Sequence, residues 1–117
     1  MSPDPDRRPE AVVKRQTEAY NEGDIEAFTA CYAEDAVIER LDAEGVVANG
    51  DDEIHDQYRE LFEMLPELTC GVTDEFTFGE YVACKERVTG TDDPVVALAV
   101  YLVRDDVIQH LWLGGEP

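Results

Sequence analysis

Hydrophobic positions follow a helical period in the first part of the chain and a strand period in the second. A first helix is predicted to begin near Pro9 and to end at Gly23, because glycine tolerates the left-handed conformation of a C-terminal cap. A second helix is predicted to follow at once, with Asp24 as its N-cap. Its predicted buried stripe consists of Ile25, Phe28, Cys31 and Tyr32.

A short strand pair and a third helix are predicted next. Strand composition at residues 37–41 and 46–48 surrounds a turn at Glu44-Gly45. The third helix is capped around residues 49–52 and stopped by Pro66. Its apolar side chains recur at helical spacing, at Ile54, Tyr58, Leu61, Phe62 and Leu65.

Four further strands are predicted in the rest of the chain. Residues 68–78 alternate between apolar and polar, which predicts one buried face. That face would carry Leu68, Cys70, Val72, Phe76 and Phe78, with Asp74 as a polar exception that a β-bulge would turn outward. Strands at 81–89, 95–103 and 107–113 follow, and the second of these is apolar enough to be covered on both faces.

The order of elements, ααββαββββ, indicates the α+β class. We expect three helices packed on one face of a curved, mostly antiparallel sheet. Residues 1–8 are predicted to form a flexible N-terminal tail, and residues 9–117 a single domain large enough for its own core.

The charge of the chain is extreme. It has 28 acidic residues against 9 basic ones, a net charge of -19, and the acids are spread along its whole length. Nucleic acid is therefore not expected as a partner, because binding it needs a basic surface. An acidic surface with only two lysines, Lys14 and Lys85, resembles cytosolic proteins of salt-accumulating archaea. Concentrated salt would screen the repulsion between these acids.

Other features limit the class of protein further. The three cysteines are far apart and form no Cys-x-x-Cys pair, and only two histidines are present, so no metal site and no cofactor are expected. No apolar run is long enough for a membrane span, and the N-terminus lacks the apolar stretch of a secretory signal. These observations predict a cytoplasmic protein that does not bind membranes.

Four segments carry a resemblance to a known family. They are Tyr20-Asn21-Glu22-Gly23-Asp24, Ala33-Glu34-Asp35-Ala36, Gly50-Asp51-Asp52-Glu53-Ile54, and Asp105-Asp106-Val107-Ile108 with Trp112. With these segments the chain resembles the nuclear transport factor 2-like superfamily, which includes ketosteroid isomerases and SnoaL-like polyketide cyclases. The resemblance implies a cystatin-like cone with a pocket inside it, and a homodimer formed through the open face of the sheet.

The resemblance also allows a residue-by-residue test of the isomerase pattern. In that register Gln16 occupies the position of a tyrosine, Arg40 that of a catalytic aspartate, and Ala99 that of a protonated acid. Arginine stays protonated and cannot abstract a proton, so steroid isomerisation by that mechanism is not expected. SnoaL-like cyclases use acid-base groups on the last strands, and His110 falls near such a position.

His110 and Arg40 are the candidate catalytic residues. His110 alternates with Ile108 and Trp112, so it would point into the pocket if that face lines the cone, and it could exchange a proton near neutral pH. The alternative is a histidine held in the sheet interior or at a dimer surface. Arg40 could bind a carboxylate or stabilise an enolate, or it could form a salt bridge, for example to Glu86.

Further residues are candidates for the wall of a ligand pocket. Gln16 could orient a ligand carbonyl or bond to the backbone. Glu86, if buried, would have a raised pKa and could act as a general acid or base, unless Arg40 neutralises it. The other predicted pocket residues are aromatic side chains, namely Tyr20, Tyr58, Phe62, Phe76, Tyr101 and Trp112.

Two functions are compatible with these observations. The first is a pocket protein of the SnoaL-like kind, which binds a small apolar, carbonyl-bearing molecule and catalyses cofactor-free proton transfer. The second is a non-catalytic dimerisation or protein-interaction module of the same fold. An interior cavity of roughly 300 Å³ or more would favour the first.

Overall fold

The computed structural model describes residues 8–116. The predicted tail lies outside the described residues except for Arg8, which is the N-cap of the first helix. Among the described residues, no helix has the length and apolar character that crossing a membrane requires.

Three helices form where the sequence predicts them: α1 at Pro9–Glu22, α2 at Ile25–Thr29 and α3 at Asp51–Met64. Gly23 adopts φ 67° and ends α1, and its N–H donates to the Tyr20 carbonyl. The Asp24 carboxylate accepts a hydrogen bond from the Ala27 N–H at 3.1 Å and begins α2. This capping pair turns the chain sharply between the two helices.

Six strands of the described chain form one curved sheet. They are β1 at Tyr32–Arg40, β2 at Val46–Asn49, β3 at Thr69–Phe78, β4 at Tyr81–Thr89, β5 at Val95–Arg104 and β6 at Val107–Glu116. Their order in the sheet is β2-β1-β6-β5-β4-β3, and every pair is antiparallel except β1 with β6. The predicted α+β fold, with helices on a curved and mostly antiparallel sheet, is confirmed.

The start of β1 corrects one prediction. Cys31 and Tyr32 do not continue the stripe of α2, because that helix ends at Thr29 and Tyr32 already pairs with Ile108 of β6. The Cys31 carbonyl accepts a hydrogen bond from the Ile108 N–H at 2.8 Å. Pairing with a strand that lies far along the chain has overridden the local helical pattern.

The concave face of the sheet packs against the helices and forms the core. Phe28 of α2 and Ile54 of α3 are fully buried there against Ile38 and Tyr101 of the sheet. No helix within residues 8–116 covers the outer face, and Leu98 of β5 is 45% exposed on it. The prediction that this strand is covered on both faces is therefore wrong within the described chain.

A β-bulge in β3 corrects a second prediction. The register with β4 shifts between Thr73 and Phe76, and Asp74 in between adopts φ 53°. The extra residue reverses the alternation of side chains. Phe76 and Phe78 therefore lie on the outer face, 65% and 74% exposed, instead of in the core.

Candidate functional site

A cavity of about 510 Å³ lies between the concave face of the sheet and helices α1 and α3. Small residues of β5 and β6 leave this space open. At Gly115, for example, an added Cβ would approach the Ala97 side chain at 3.3 Å. Residues from both layers line the cavity: Gln16, Thr17, Tyr20, Arg40, Tyr58, Leu61, Leu65, Leu68, Cys70, Glu86, Val88, Thr91, Val95, Ala97, Tyr101, Leu111, Leu113, Gly114 and Gly115.

Glu86 places a carboxyl group inside this mostly apolar space. It points inward from β4, where it pairs with Ala97 of β5, and is only 7% exposed. The Tyr101 hydroxyl donates a hydrogen bond to its Oε2 at 2.6 Å, and Cys84 Sγ lies 3.7 Å from the same oxygen. Burial raises the pKa of Glu86, and these hydrogen bonds oppose the rise in part.

Arg40 does not neutralise Glu86. Its Nη2 instead contacts Asp42 Oδ1 at 3.1 Å, and the hydrogen bond from Arg40 lowers the pKa of that carboxyl. No ion pair to Glu86 occurs within residues 8–116. Arg40 thus forms the salt bridge named as its alternative role, but with Asp42 and not with Glu86. A buried carboxyl in a cavity and without a cationic partner is a candidate functional group.

Gln16 lies at the helical wall of the cavity. It is buried, and its Oε1 accepts a hydrogen bond from the Tyr32 hydroxyl at 2.7 Å. Its Nε2 donates to Thr17 Oγ1 at 3.2 Å. Because Tyr32 fixes the carbonyl end of this amide, the NH₂ end is oriented as the donor group. Burial raises the pKa of Tyr32 well above its ordinary value, so its hydroxyl remains a donor.

Tyr20 and Tyr58 complete the polar part of the wall. Both rings pack on Phe28, with centroids 6.1 and 4.7 Å away, and neither hydroxyl makes a hydrogen bond to another of the described residues. Burial raises the pKa of both, that of Tyr58 to about 12, so both stay neutral near pH 7. Phe62 packs behind this wall, edge-on to Tyr20 at 5.4 Å, and does not itself line the cavity.

Arg40 lies at the rim of the cavity rather than deep inside it. It follows Ile38 on the inward face of β1 and is in register with Leu113 of β6, which also lines the cavity. Its side chain is 47% exposed. Within residues 8–116, no cluster of three His, Cys, Asp or Glu side chains has the arrangement of a metal site.

Comparison with known proteins agrees with this architecture. The family model described as the SnoaL-like domain matches residues 13–111, most of the chain. The chain belongs to the SnoaL-like domain family. A comparison with curated proteins finds no match.

Solved structures with the same fold resemble this SnoaL-like domain over nearly its whole length. A cystatin-fold protein from Novosphingobium aromaticivorans is 23% identical, with a TM-score of 0.83, and the match covers 91% of this chain and 97% of that one. A proposed ketosteroid isomerase from Kribbella flavida is 19% identical, with a TM-score of 0.80 and coverage of 93% and 78%. A proposed polyketide cyclase from Sinorhizobium meliloti is 19% identical, with a TM-score of 0.75 and coverage of 87% and 92%. At these identities the likeness establishes the fold.

The structure separates His110 and Trp112 from the cavity of this SnoaL-like domain. The register of β6 with β5 shifts between Ile108 and His110, so Ile108 is buried while His110 and Trp112 lie on the outer face. The expectation that His110 points into the pocket is wrong for this reason. Its ring stacks on Trp112 at 4.0 Å, and its Nε2 contacts the Glu39 carboxylate.

The structure thus brings together some of the predicted site residues and not others. The cavity is lined by Gln16, Tyr20, Tyr58, Glu86 and Tyr101, with Arg40 at its rim. The opposite side of the sheet carries His110, Trp112 and Phe76. Sequence reasoning missed Tyr32, which orients Gln16, and Cys70, which lines the cavity. The helical spacing of Tyr32 predicts a helix. The alternation of β3 correctly predicts that Cys70 faces inward, but it does not distinguish a cavity wall from the core.

Proposed function

We propose that the cavity of this SnoaL-like domain binds a small, largely apolar molecule that bears a carbonyl group, and that Glu86 transfers a proton to and from it. One observation carries the proposal: an inward-facing carboxyl without a cationic partner meets an apolar cavity of about 510 Å³. This volume exceeds the roughly 300 Å³ of the smaller ligand sites. Because burial raises its pKa, Glu86 is a stronger base than an exposed carboxylate.

The neighbouring groups supply the rest of the chemistry. Ionised Glu86 would remove a proton from the carbon next to the carbonyl, and the electron pair of that C–H bond would move into an enolate. The Gln16 amide and the free hydroxyls of Tyr20 and Tyr58 are the donors available for the enolate oxygen. The Glu86 acid would then return the proton to a different carbon of a conjugated ligand, with the C=C bond shifted, which is an isomerisation without a cofactor. Tyr101 holds the carboxyl in place.

Deuterium exchange tests this function without knowledge of the natural ligand. The probe is 2-tetralone, a two-ring ketone, whose α-protons are followed by NMR in D₂O. We expect the wild-type protein to accelerate exchange, and Glu86→Gln to reduce the enzymatic rate by about 100-fold or more. Glu60→Gln, which removes an exposed carboxylate from α3, should exchange at the wild-type rate. Equal rates for Glu86→Gln and wild type would exclude Glu86 as the proton carrier.

A specific feature of the outer face favours a second candidate, dimerisation through the sheet. Phe76, Phe78, Tyr81 and Leu98 are all exposed there. The outward positions of β4 to β6 between residues 81–87, 96–102 and 110–112 carry no Asp or Glu, in a chain that has 28 acids. We propose that a second copy of the chain covers this face, because two copies that met through other, acidic parts of their surface would repel each other.

The charge of the whole chain supports a proposal about its setting. We propose that this SnoaL-like domain works in the cytoplasm of a cell that accumulates salt. The net charge of -19 is spread over many exposed acids, and only ionic strength near ~1 M shortens the screening length to ~3 Å. At that distance only direct neighbours still repel each other.

A further inference from the structure

Two charged residues line the cavity within the described chain, and they lie at different depths. Glu86 is buried inside it, and Arg40 lies at the rim with its side chain half exposed. The other polar lining groups are neutral hydroxyl, amide and thiol groups. Among the described residues that line the cavity, Arg40 is therefore the cationic group, and it lies at the entrance. In a chain of net charge -19, the entrance to the cavity therefore carries a positive group.

The strand register gives the spacing of these two groups. Arg40 pairs with Leu113 of β6, Leu113 pairs with Ala99 of β5, and Ala99 pairs with Cys84 of β4. Glu86 is the next inward residue of β4 after Cys84. Three strand spacings of about 4.8 Å put the two backbones roughly 14 Å apart across the sheet. The floor between them is apolar and low, since Ala97, Leu113 and Gly115 form it.

Arg40 has donors to spare for a ligand. Its contact with Asp42 uses Nη2 only, and neither Nε nor Nη1 bonds to another of the described residues. An ion pair between two half-exposed side chains is weakened by solvent and is readily exchanged. A guanidinium binds a carboxylate or a related oxyanion through two parallel hydrogen bonds, which a single contact to Asp42 does not provide.

From this arrangement we propose that the ligand is an amphiphilic monoanion. Its oxyanion, such as a carboxylate, binds Arg40 at the rim, and its apolar body lies on the floor of Ala97, Leu113 and Gly115. The carbonyl group at the far end of the body places its neighbouring carbon beside Glu86. This inference deepens the proposed function, because it concerns the same cavity and the same ligand.

Two fluorescent dyes with one shared apolar body test the proposal. 8-Anilinonaphthalene-1-sulfonate carries an oxyanion, and N-phenyl-1-naphthylamine is its uncharged counterpart. Both are titrated into each variant at one fixed KCl concentration, with folding checked by circular dichroism. Arg40→Met should weaken binding of the sulfonate dye about tenfold or more and leave the uncharged dye within about twofold. Asp42→Asn, which removes the competing carboxylate, should tighten binding of the sulfonate dye.

A matched control separates a local contact from a change in net charge. Arg104→Met removes the same charge from an exposed arginine that pairs with Glu80 at 2.9 Å and does not line the cavity. It should leave both dyes unaffected. Equal weakening of the sulfonate dye by Arg40→Met and Arg104→Met would overturn the proposal, as would equal weakening of both dyes by Arg40→Met. In either case, binding of the uncharged dye to the wild-type protein would still show that the cavity is a ligand site.

Natural carboxylates extend the test beyond a sulfonate. In displacement of the uncharged dye from wild-type protein, decanoate should compete at lower concentration than decanol, and Arg40→Met should abolish that difference. No preference for decanoate in the wild type would contradict the proposal. If neither dye binds the wild-type protein, the cavity is not a ligand site and the proposed function fails together with this inference.

Discussion

The Tyr101 hydroxyl donates a hydrogen bond of 2.6 Å to the buried carboxyl of Glu86. The two residues stand on neighbouring strands, and the Ala99 and Cys84 side chains between them are small enough to let them meet. This contact holds Glu86 in one orientation at the cavity wall. It also gives the carboxyl its strongest polar partner among the described residues, since no cation reaches it.

The pKa of Glu86 predicts how stability depends on pH. Burial raises this pKa above the ordinary value of 4.5, so the carboxyl ionises in the unfolded chain at a lower pH than in the folded one. Below about 4.5 both states are protonated and the group favours neither. As pH rises through the folded pKa, the free energy of unfolding falls. The Glu86→Gln variant should not show this fall in the free energy of unfolding, and it should be more stable than the wild type at neutral and alkaline pH.

Urea unfolding in molar KCl between pH 4.5 and 9 measures that difference. Its control is Glu60→Gln, which removes one charge at an exposed site and accounts for the general relief of repulsion. The increase in the free energy of unfolding that Glu86→Gln shows over this control should shrink as pH falls toward 4.5. A gain that is constant over the whole range would show that Glu86 does not titrate as its burial implies.

The Asn21 side chain links the end of α1 to β3 through two hydrogen bonds, and removal of this side chain should destabilise the fold. Its Nδ2 donates to the Cys70 carbonyl at 3.0 Å, and its Oδ1 accepts from the Cys70 N–H at 2.6 Å. Asn21→Ala leaves both backbone groups of Cys70 without these partners, and we expect it to cost about 1–3 kcal/mol. Asn49→Ala, at an exposed position of β2, is the control. Equal effects in chemical denaturation would show that the Asn21 contacts contribute nothing specific.

Salt should stabilise this protein strongly. With a net charge of -19 the folded chain repels itself, and this repulsion is screened in molar KCl. The melting temperature should therefore rise steadily from dilute buffer to 1 M KCl and more. Sucrose at matched osmolality controls for general solute effects, and should raise it less. An unchanged melting temperature across this range would contradict the proposed salt-rich setting.

The outer face of β4 to β6 should be buried between two copies in solution. Sedimentation equilibrium of the wild type should give the mass of a dimer, and Phe78→Glu or Leu98→Glu should give that of a monomer, because each places a charge on that face. Met64→Glu changes an equally exposed apolar residue at the end of α3 and should remain dimeric. A monomeric wild type would exclude this assembly.

Local sequence signals determined most of the secondary structure. Gly23 and Asp24 mark the junction of the first two helices because their backbone preferences and hydrogen bonds are local, and the predicted strand at 81–89 matches β4 residue for residue. The order of helices and strands, and with it the α+β class, follows from the same short-range patterns. The inward position of Glu86 could also be read from the alternation of β4.

Only the tertiary structure decided which residues meet in the cavity. Two β-bulges, at Asp74 and next to Gln109, each reverse the alternation of a strand. The sequence marks the first by a polar residue on the apolar face, and no sequence pattern marks the second. Phe76, His110 and Trp112 were misplaced for this one reason. The parallel pairing of β1 with β6 joins segments some 75 residues apart. Because of this pairing Tyr32 belongs to a strand and not to the predicted helix, and its hydroxyl donates a hydrogen bond to Gln16. Such contacts depend on long-range register, which the local sequence does not encode.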